Sequence, residues 1–318
     1  MLNYVIEMKS NPMKRVVLAC ALLSSMGLSA QQDVMISQYM FNNLFLNPAY
    51  AGLNDHFTST LLHRSQWTHL EGAPRTSILG ADGSLSAGKM GLGMTLKHDQ
   101  LGVTKDIEIG TQYAYHLRLN STNRLSFGIK GAVSLYSAEL TSLTTWDSGD
   151  PTFQNDIQNA AVSKIGFGVI WSSSRTYAGI SIPSLYANDG SVSSQLAGQN
   201  GELFDQHYYL QAGHVVNVNE HIALKPSVLI KYEQAAPVDV DMNLNLLYKD
   251  FLWLGAGWRA GDAIVAMLEY QVLPELRIGY AYDMTTSLLN NYSNGSHEVM
   301  IGFDMAKEQV KLKNPRYF

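Results

Sequence analysis

From residue 56 onward, apolar and polar residues alternate with a period of two, the pattern of a strand with one apolar face and one that a helix cannot use. In the clearest run Val238, Val240, Met242, Leu244 and Leu246 alternate with Asp239, Asp241, Asn243 and Asn245. The same pattern recurs around Ile107 to Leu119, Met90 to Leu96, Leu276 to Met284 and Val299 to Met305. Marking every run predicts strands near 56–66, 75–83, 88–99, 104–119, 124–138, 163–173, 175–183, 206–218, 221–234, 237–248, 251–260, 263–272, 275–285 and 296–306. That is about fourteen, an even number, as single-chain bacterial outer-membrane barrels have.

Connector lengths sort by parity. Those after even strands are tight (Asn120 to Asn123, Ser174, Asn219-Glu220, Lys249-Asp250, Leu273-Pro274), whereas the longest, 139–162, 184–205 and 286–295, all follow odd strands. Short turns on one side and long loops on the other is the plan of a transmembrane barrel, with the long loops extracellular and both termini periplasmic. With odd strands pointing outward from the cell, Tyr208, Tyr232, Trp258 and Tyr282 fall near the outer rim and Tyr115, Tyr248 and Tyr270 near the inner one, as two aromatic girdles require.

Composition decides between this barrel and a soluble β-sandwich or lipocalin-like barrel. Only 15% of the 318 residues are charged, against about a quarter in soluble domains, and the polar faces carry mostly Gly, Ser and Asn. No run of 18 apolar residues occurs, so a membrane crossing must use strands. A net charge of −5, with no Lys/Arg cluster after Lys14-Arg15, argues against a nucleic-acid partner. The fold class expected is all-β: a transmembrane antiparallel β-barrel at 56–306, preceded by a short periplasmic or plug-like turn-rich segment at 31–55 and followed by a periplasmic tail at 307–318.

Residues 1–30 read as a signal peptide. Lys14-Arg15 precedes the apolar stretch Val16 to Met26 and the small-residue site Gly27-Leu28-Ser29-Ala30; either Met1 or Met13 serves as the start. Cys20 resembles a lipoprotein site, but only four apolar residues separate it from Arg15, fewer than an h-region needs. Cleavage after Ala30 removes the only cysteine and with it any thiol or disulfide chemistry.

Candidates for chemistry are few. His56, His63 and His69 do not share a strand face with a fourth ligand, and His207 and His214 fall on opposite faces. Asp239 and Asp241 share a face, close enough for paired-carboxylate chemistry, but Asn243 and Asn245 continue their stripe, which favours a lumen wall salt-bridged to Lys225, Lys231 and Arg259. No catalytic residue, metal ligand or cofactor is expected. Outer-membrane lipid is the one partner that composition implies.

The most distinctive residues precede the first strand. Gln32-Asp33, Ser37-Gln38-Tyr39-Met40-Phe41 and Asn47-Pro48-Ala49-Tyr50-Ala51-Gly52, then Arg64-Ser65-Gln66-Trp67, Gly72-Ala73-Pro74-Arg75-Thr76, Ala81-Asp82-Gly83 and the terminal Asn314-Pro315-Arg316-Tyr317-Phe318, together resemble the PorP/SprF family of outer-membrane proteins from Bacteroidetes. The resemblance implies a barrel working with the type IX secretion system and, in gliding species, with delivery of surface adhesins. Implied partners are secreted proteins carrying type IX C-terminal signal domains and periplasmic components of the secretion machine. The candidate partner-binding residues are Gln38, Tyr39, Phe41, Asn47, Pro48, Tyr50, Gly52, Gln66 and Trp67, with Trp146 and Phe153 added from the aromatic and acidic loop 139–162. The alternatives are a general solute porin or hydrophobic-compound channel and an outer-membrane barrel hydrolase; the sequence contains no Gly-x-Ser-x-Gly motif. Mass spectrometry of the mature protein is expected to place its N-terminus within a few residues of Gln31. A mature chain retaining Val16 to Leu23 would refute this, and an acylated Cys20 would restore the lipoprotein reading.

Overall fold

The computed structural model describes residues 34–54, 56–145, 153–188, 192, 206–234 and 236–305. Residues 1–30, expected to be a signal peptide, Trp146 and the tail 307–318 lie outside the described residues. Fourteen strands form one antiparallel sheet: β1 (Phe57–Ser65), β2 (Arg75–Leu85), β3 (Met90–Leu101), β4 (Thr104–Arg118), β5 (Arg124–Ala138), β6 (Ile157–Ser172), β7 (Thr176–Asn188), β8 (Tyr208–His214, resuming at Val216–Asn217), β9 (Ile222–Tyr232), β10 (Asp239–Tyr248), β11 (Leu252–Arg259), β12 (Ala263–Gln271), β13 (Leu276–Thr285) and β14 (Ser296–Met305). Each pairs with its sequence neighbours, and the ring closes where β1 meets β14, Leu61 opposite Ile301 and Arg64 opposite Glu298. Every strand therefore has a partner on both sides, as a sheet in hydrocarbon requires.

Two strands run further than their alternation predicts, each past a bulge. β6 begins at Ile157 rather than 163: its register against β5 shifts between Tyr136 and Ala138, and Asn159 takes φ +46°. β7 continues past Pro183 to Asn188. The register shift between Ile165 and Phe167 leaves Pro183 in a bulge, one of the few places in a sheet where a residue without an N–H is tolerated. On β6 one extra residue moves the apolar positions to the other parity; on β7 two extra residues keep the parity, and it is Pro183 that reads as the end of the strand in the sequence.

The alternation resolves into a barrel with its apolar side outward. On β10 Met242 and Leu244 are 52% and 51% exposed, while Asp241, Asn243 and Asn245 are 4%, 8% and 1% exposed. The same division holds on β4, where Ile107, Ile109, Tyr113 and Tyr115 face out and Glu108, Gln112 and His116 face in. A soluble sandwich would bury the apolar set, so this exposure excludes that alternative and marks a surface in contact with lipid. One rim carries tight turns throughout (86–89, 119–123, 173–175, 218–221, 249–251, 272–275) and is called the turn rim; the other, the loop rim, carries the longest connections, 139–156, 189–207 and 286–295, beside short ones at 102–103 and 260–262. At the loop rim Tyr208 and Tyr232 lie 5.9 Å apart; at the turn rim Phe251 packs edge-on against Tyr248 and Tyr270 at 6.0 and 5.9 Å. Both girdles are thus present.

The hydrophobic core is inside the lumen. Ile36, Tyr39, Met40, Phe45 and Leu46, all N-terminal to β1, pack against inward Leu62, Ile78, Tyr209, Leu229, Val265, Met267 and Ala281. Placing an arginine at Leu244 should cost about 2–4 kcal/mol if that position is near the midplane, whereas Leu244→Met and the inward substitution Asn245→Ser should each stay within about 1 kcal/mol. Urea unfolding of refolded protein in detergent, followed by gel mobility with and without heating, reads this ranking; the reverse order would contradict the lipid-facing assignment.

Candidate functional site

The segment that the sequence singled out fills the barrel. Residues 34–54 cross the lumen as short turns: a 3-10 turn Tyr39–Phe41, one helical turn Asn43–Leu46 and a 3-10 turn Pro48–Tyr50. No piece is long enough to be stable as an isolated helix, so the barrel wall must supply its hydrogen bonds and packing. Three levels of contact do so.

Nearest the loop rim, Glu298 accepts from the backbone N–H of Ser37 (2.9 Å) and Gln38 (2.8 Å) and from the Gln38 side chain (3.2 Å). The Ser37 hydroxyl donates to Asp283 at 2.7 and 2.8 Å and accepts from Arg64 at 2.9 Å. Arg64 bridges Asp283 (2.7 Å) and Glu298 (3.3 Å), and Arg259 joins Asp283 (3.1 Å) to Asp241 (2.8 Å). Lys231 extends the chain of ion pairs to Asp239 and Asp241 at 2.9 and 3.0 Å. Arg64, Arg259, Asp283 and Glu298 are each at most 2% exposed. A buried charge requires this degree of pairing.

At mid-height the Asn47-Pro48 pair explains its own chemistry. Asn47 Oδ1 caps the following turn by accepting from Ala49 N–H at 2.9 Å, Pro48 takes the first turn position, and Asn47 Nδ2 reaches the carbonyls of Val169 and Ile180 at 3.3 Å. Asn243 donates to the Tyr39 hydroxyl at 3.0 Å, and Ser181 donates to the Leu46 carbonyl at 2.7 Å. Phe41 reaches past this level to Trp253, at the turn-rim end of β11, which it meets edge-on at 5.8 Å.

Close to the turn rim, plug and wall touch backbone to backbone. A Cβ at Gly91 would collide with the Ala51 carbonyl, and Gly52 sits at φ +64° beside it, so only glycine suits either position. Asp82 accepts from Gly52 N–H at 2.8 Å, His116 lies 3.0 Å from the Ala51 carbonyl, and Arg124 donates to the Leu53 carbonyl at 3.2 Å. Tyr50 packs edge-on against Tyr177 at 6.4 Å.

Of the residues singled out as partner-binding, Gln38, Tyr39, Asn47, Pro48, Tyr50 and Gly52 are therefore buried in the lumen and Phe41 is half-buried there. Gln66 is buried beside Met35, with Nε2 4.0 Å from its sulfur. Trp67 is half-buried at φ +44° and donates its N–H to Ser296 at 3.1 Å. Phe153 is half-buried in the β5–β6 connection.

The charges that hold the plug were not singled out. Arg64, Asp283 and Glu298 each sit on the polar parity of a strand, but their convergence depends on strand register, which the sequence does not display. Lys231 and Arg259 do face Asp239 and Asp241 as expected, whereas Lys225 instead lies over the Tyr177 ring, 5.6 Å from its centroid. A second ion cluster joins Lys97, Lys130 and Lys164 to Asp106 and Glu108, with Lys130 and Lys164 at 2.6 and 2.8 Å from Glu108. Among the described residues no His/Cys/Asp/Glu group is arranged to hold a metal ion.

At the loop rim two connections are stitched into one platform. Thr68 N–H donates to the Gly295 carbonyl (2.8 Å), Asn294 N–H donates to the Thr68 carbonyl (2.9 Å), and the Asn294 and His69 side chains meet at 3.0 Å. The platform exposes Leu288 (85%), Tyr292 (71%) and Leu70 (37%).

Solved structures with this architecture include the CymD monoaromatic hydrocarbon channel, at 11% identity and a TM-score of 0.51, covering 89% of this chain and 96% of that one. Omp33 of Acinetobacter baumannii matches at 8% identity and a TM-score of 0.45, over 80% of this chain and 100% of that one. At such identity the likeness to CymD is one of fold. No curated protein sequence matches this chain. The profile of the type IX secretion system membrane proteins PorP/SprF matches residues 28–303. The match spans the plug as well as nearly all of the wall, and the chain belongs to the PorP/SprF family of type IX secretion membrane proteins.

Proposed function

We propose that this outer-membrane barrel of the type IX secretion system is a plugged docking protein rather than a conduit. In this reading the loop rim faces the cell surface and holds secreted proteins that carry type IX C-terminal signal domains, adhesins among them, while the turn rim faces periplasmic components of the machine. The observation that carries it is the filled lumen: residues 34–54 are pinned to the wall near both rims, and even one helix needs a passage about 10 Å wide. The ion pairing of Asp239 and Asp241 with Lys231 and Arg259 supports a structural role for those carboxylates and a barrel without a catalytic step. The exposed Leu288 and Tyr292 on a hydrogen-bonded platform supply the apolar and aromatic contacts in which interfaces concentrate their energy.

A solute channel is the second reading. It is favoured by a polar cavity that the plug leaves beside Asn42, Asn43, His56, Asp82, Arg277 and Asp304. Planar-bilayer recording separates the two. The wild-type protein is expected to show no stable conductance and Gly91→Val, which drives a side chain into the Ala51 carbonyl, to open one; a large steady wild-type conductance would favour the channel.

Cargo retention is tested on whole cells. Protease-shaved surface protein should fall in the deletion strain and in a Leu288→Asp/Tyr292→Asp variant whose heat-modifiable mobility is unchanged. Normal surface protein in the deletion strain, with no second gene of the family present, would end the docking reading.

A further inference from the structure

The plug has a direction. Its earliest described residues contact the loop-rim ends of strands: Ser37 and Gln38 bind Glu298, the third residue of β14, and Asp283, near the end of β13, while Met35 lies beside Gln66, just past the end of β1. Its last residues contact the turn-rim ends: the Leu53 carbonyl accepts from Arg124, the first residue of β5, and His56 stands 4.0 Å from Asp304, the penultimate residue of β14. Between them Asn47 and Leu46 are held at mid-height by Val169, Ile180 and Ser181. The segment dips to the turn-rim end of β11 at Phe41 and returns to the middle of the wall at Asn47, but its two ends lie at opposite rims, and β1 starts at the rim where the plug ends.

We infer that the N-terminal segment is threaded through the lumen once, so that the mature N-terminus is presented at the loop rim, on the membrane face opposite the end of the last strand. If processing occurs at Ala30, three residues precede Val34, and these reach about 10 Å at full extension. The apolar band of such a barrel is about 25 Å tall, and the path back is occupied by the plug itself. On this inference the mature N-terminus and the end of β14 lie at opposite rims, in place of the one-face arrangement expected from the strand count. The described start of the segment, Met35 beside Gln66, adjoins the platform of 66–74 and 286–295, and which membrane face this rim meets rests on the orientation proposed above.

Cys20 is the one cysteine in the sequence, so in a Cys20→Ser background single cysteines report sidedness cleanly. Gln32→Cys is compared with Leu288→Cys at the loop rim and Ser121→Cys at the turn rim, using a membrane-impermeant maleimide on intact and on lysed cells. The Gln32→Cys protein is expected to follow Leu288→Cys in both conditions, with signal on intact cells and loss of signal for Ser121→Cys. Labelling of Gln32→Cys that follows Ser121→Cys, or that appears only after denaturation, overturns the threading. If Leu288→Cys and Gln32→Cys are both protected on intact cells while Ser121→Cys is labelled, threading stands and the proposed orientation of the docking surface fails.

Discussion

A strand in the hydrocarbon of a bilayer finds no water for its N–H and C=O groups, and each group left unpaired costs several kcal/mol. The pairing of β1 with β14, Phe57 through Ser65 against Met305 through His297, therefore carries more weight than any side-chain contact. Without it the sheet would have two open edges in lipid. With it, inside and outside become different solvents, and the alternating sequence has a use: Leu244 can face acyl chains only because Asn245, one residue on, has an enclosed polar space to face.

Enclosure creates the second problem. Inward charges such as Arg64, Arg259, Asp283 and Glu298 are shut away from bulk water, and a buried charge without partners is far costlier than a surface one. The plug and the wall solve this jointly. Ser37 contributes a hydroxyl between Arg64 and Asp283, and the backbone of Ser37 and Gln38 satisfies Glu298. Such networks add little net stability relative to apolar packing, but they penalise wrong arrangements severely. They fix where the plug sits, while Tyr39, Met40, Phe45 and Leu46 supply the apolar contact that keeps it there.

A lumen filled this way changes which surfaces are open to partners. The residues most characteristic of the segment, Tyr39, Asn47, Pro48 and Tyr50, are committed to the wall. The most exposed apolar side chains, Leu288 and Tyr292, stand instead on the stitched loops at one rim. The division is simple: the strands meet lipid, the plug fills the interior, and the connections at the rims stay exposed.

The sequence alone determined the strand class, the nearly complete strand set, the parity of turns and loops, the lipid-facing stripe and the two girdles, because each is local. A period of two, a tight turn and an aromatic at a strand end are written within a few residues of one another. The bulge at Asn159 was lost for the same reason, since one extra residue breaks the local period while the strand continues, and Pro183 read as a strand end because a residue without an N–H is rare inside a sheet. The Asn47 to Gly52 motif was recognisable as ordered and turn-rich, but its place was not. Only the tertiary structure decided that it lies inside the barrel, that Glu298 rather than a partner protein receives Ser37 and Gln38, that Lys225 faces Tyr177 instead of Asp239, and that the segment runs from the loop rim to the turn rim. These depend on which inward positions of strands separated by more than two hundred residues come to the same height. That height is set by closure and register of the whole ring, which no local pattern encodes.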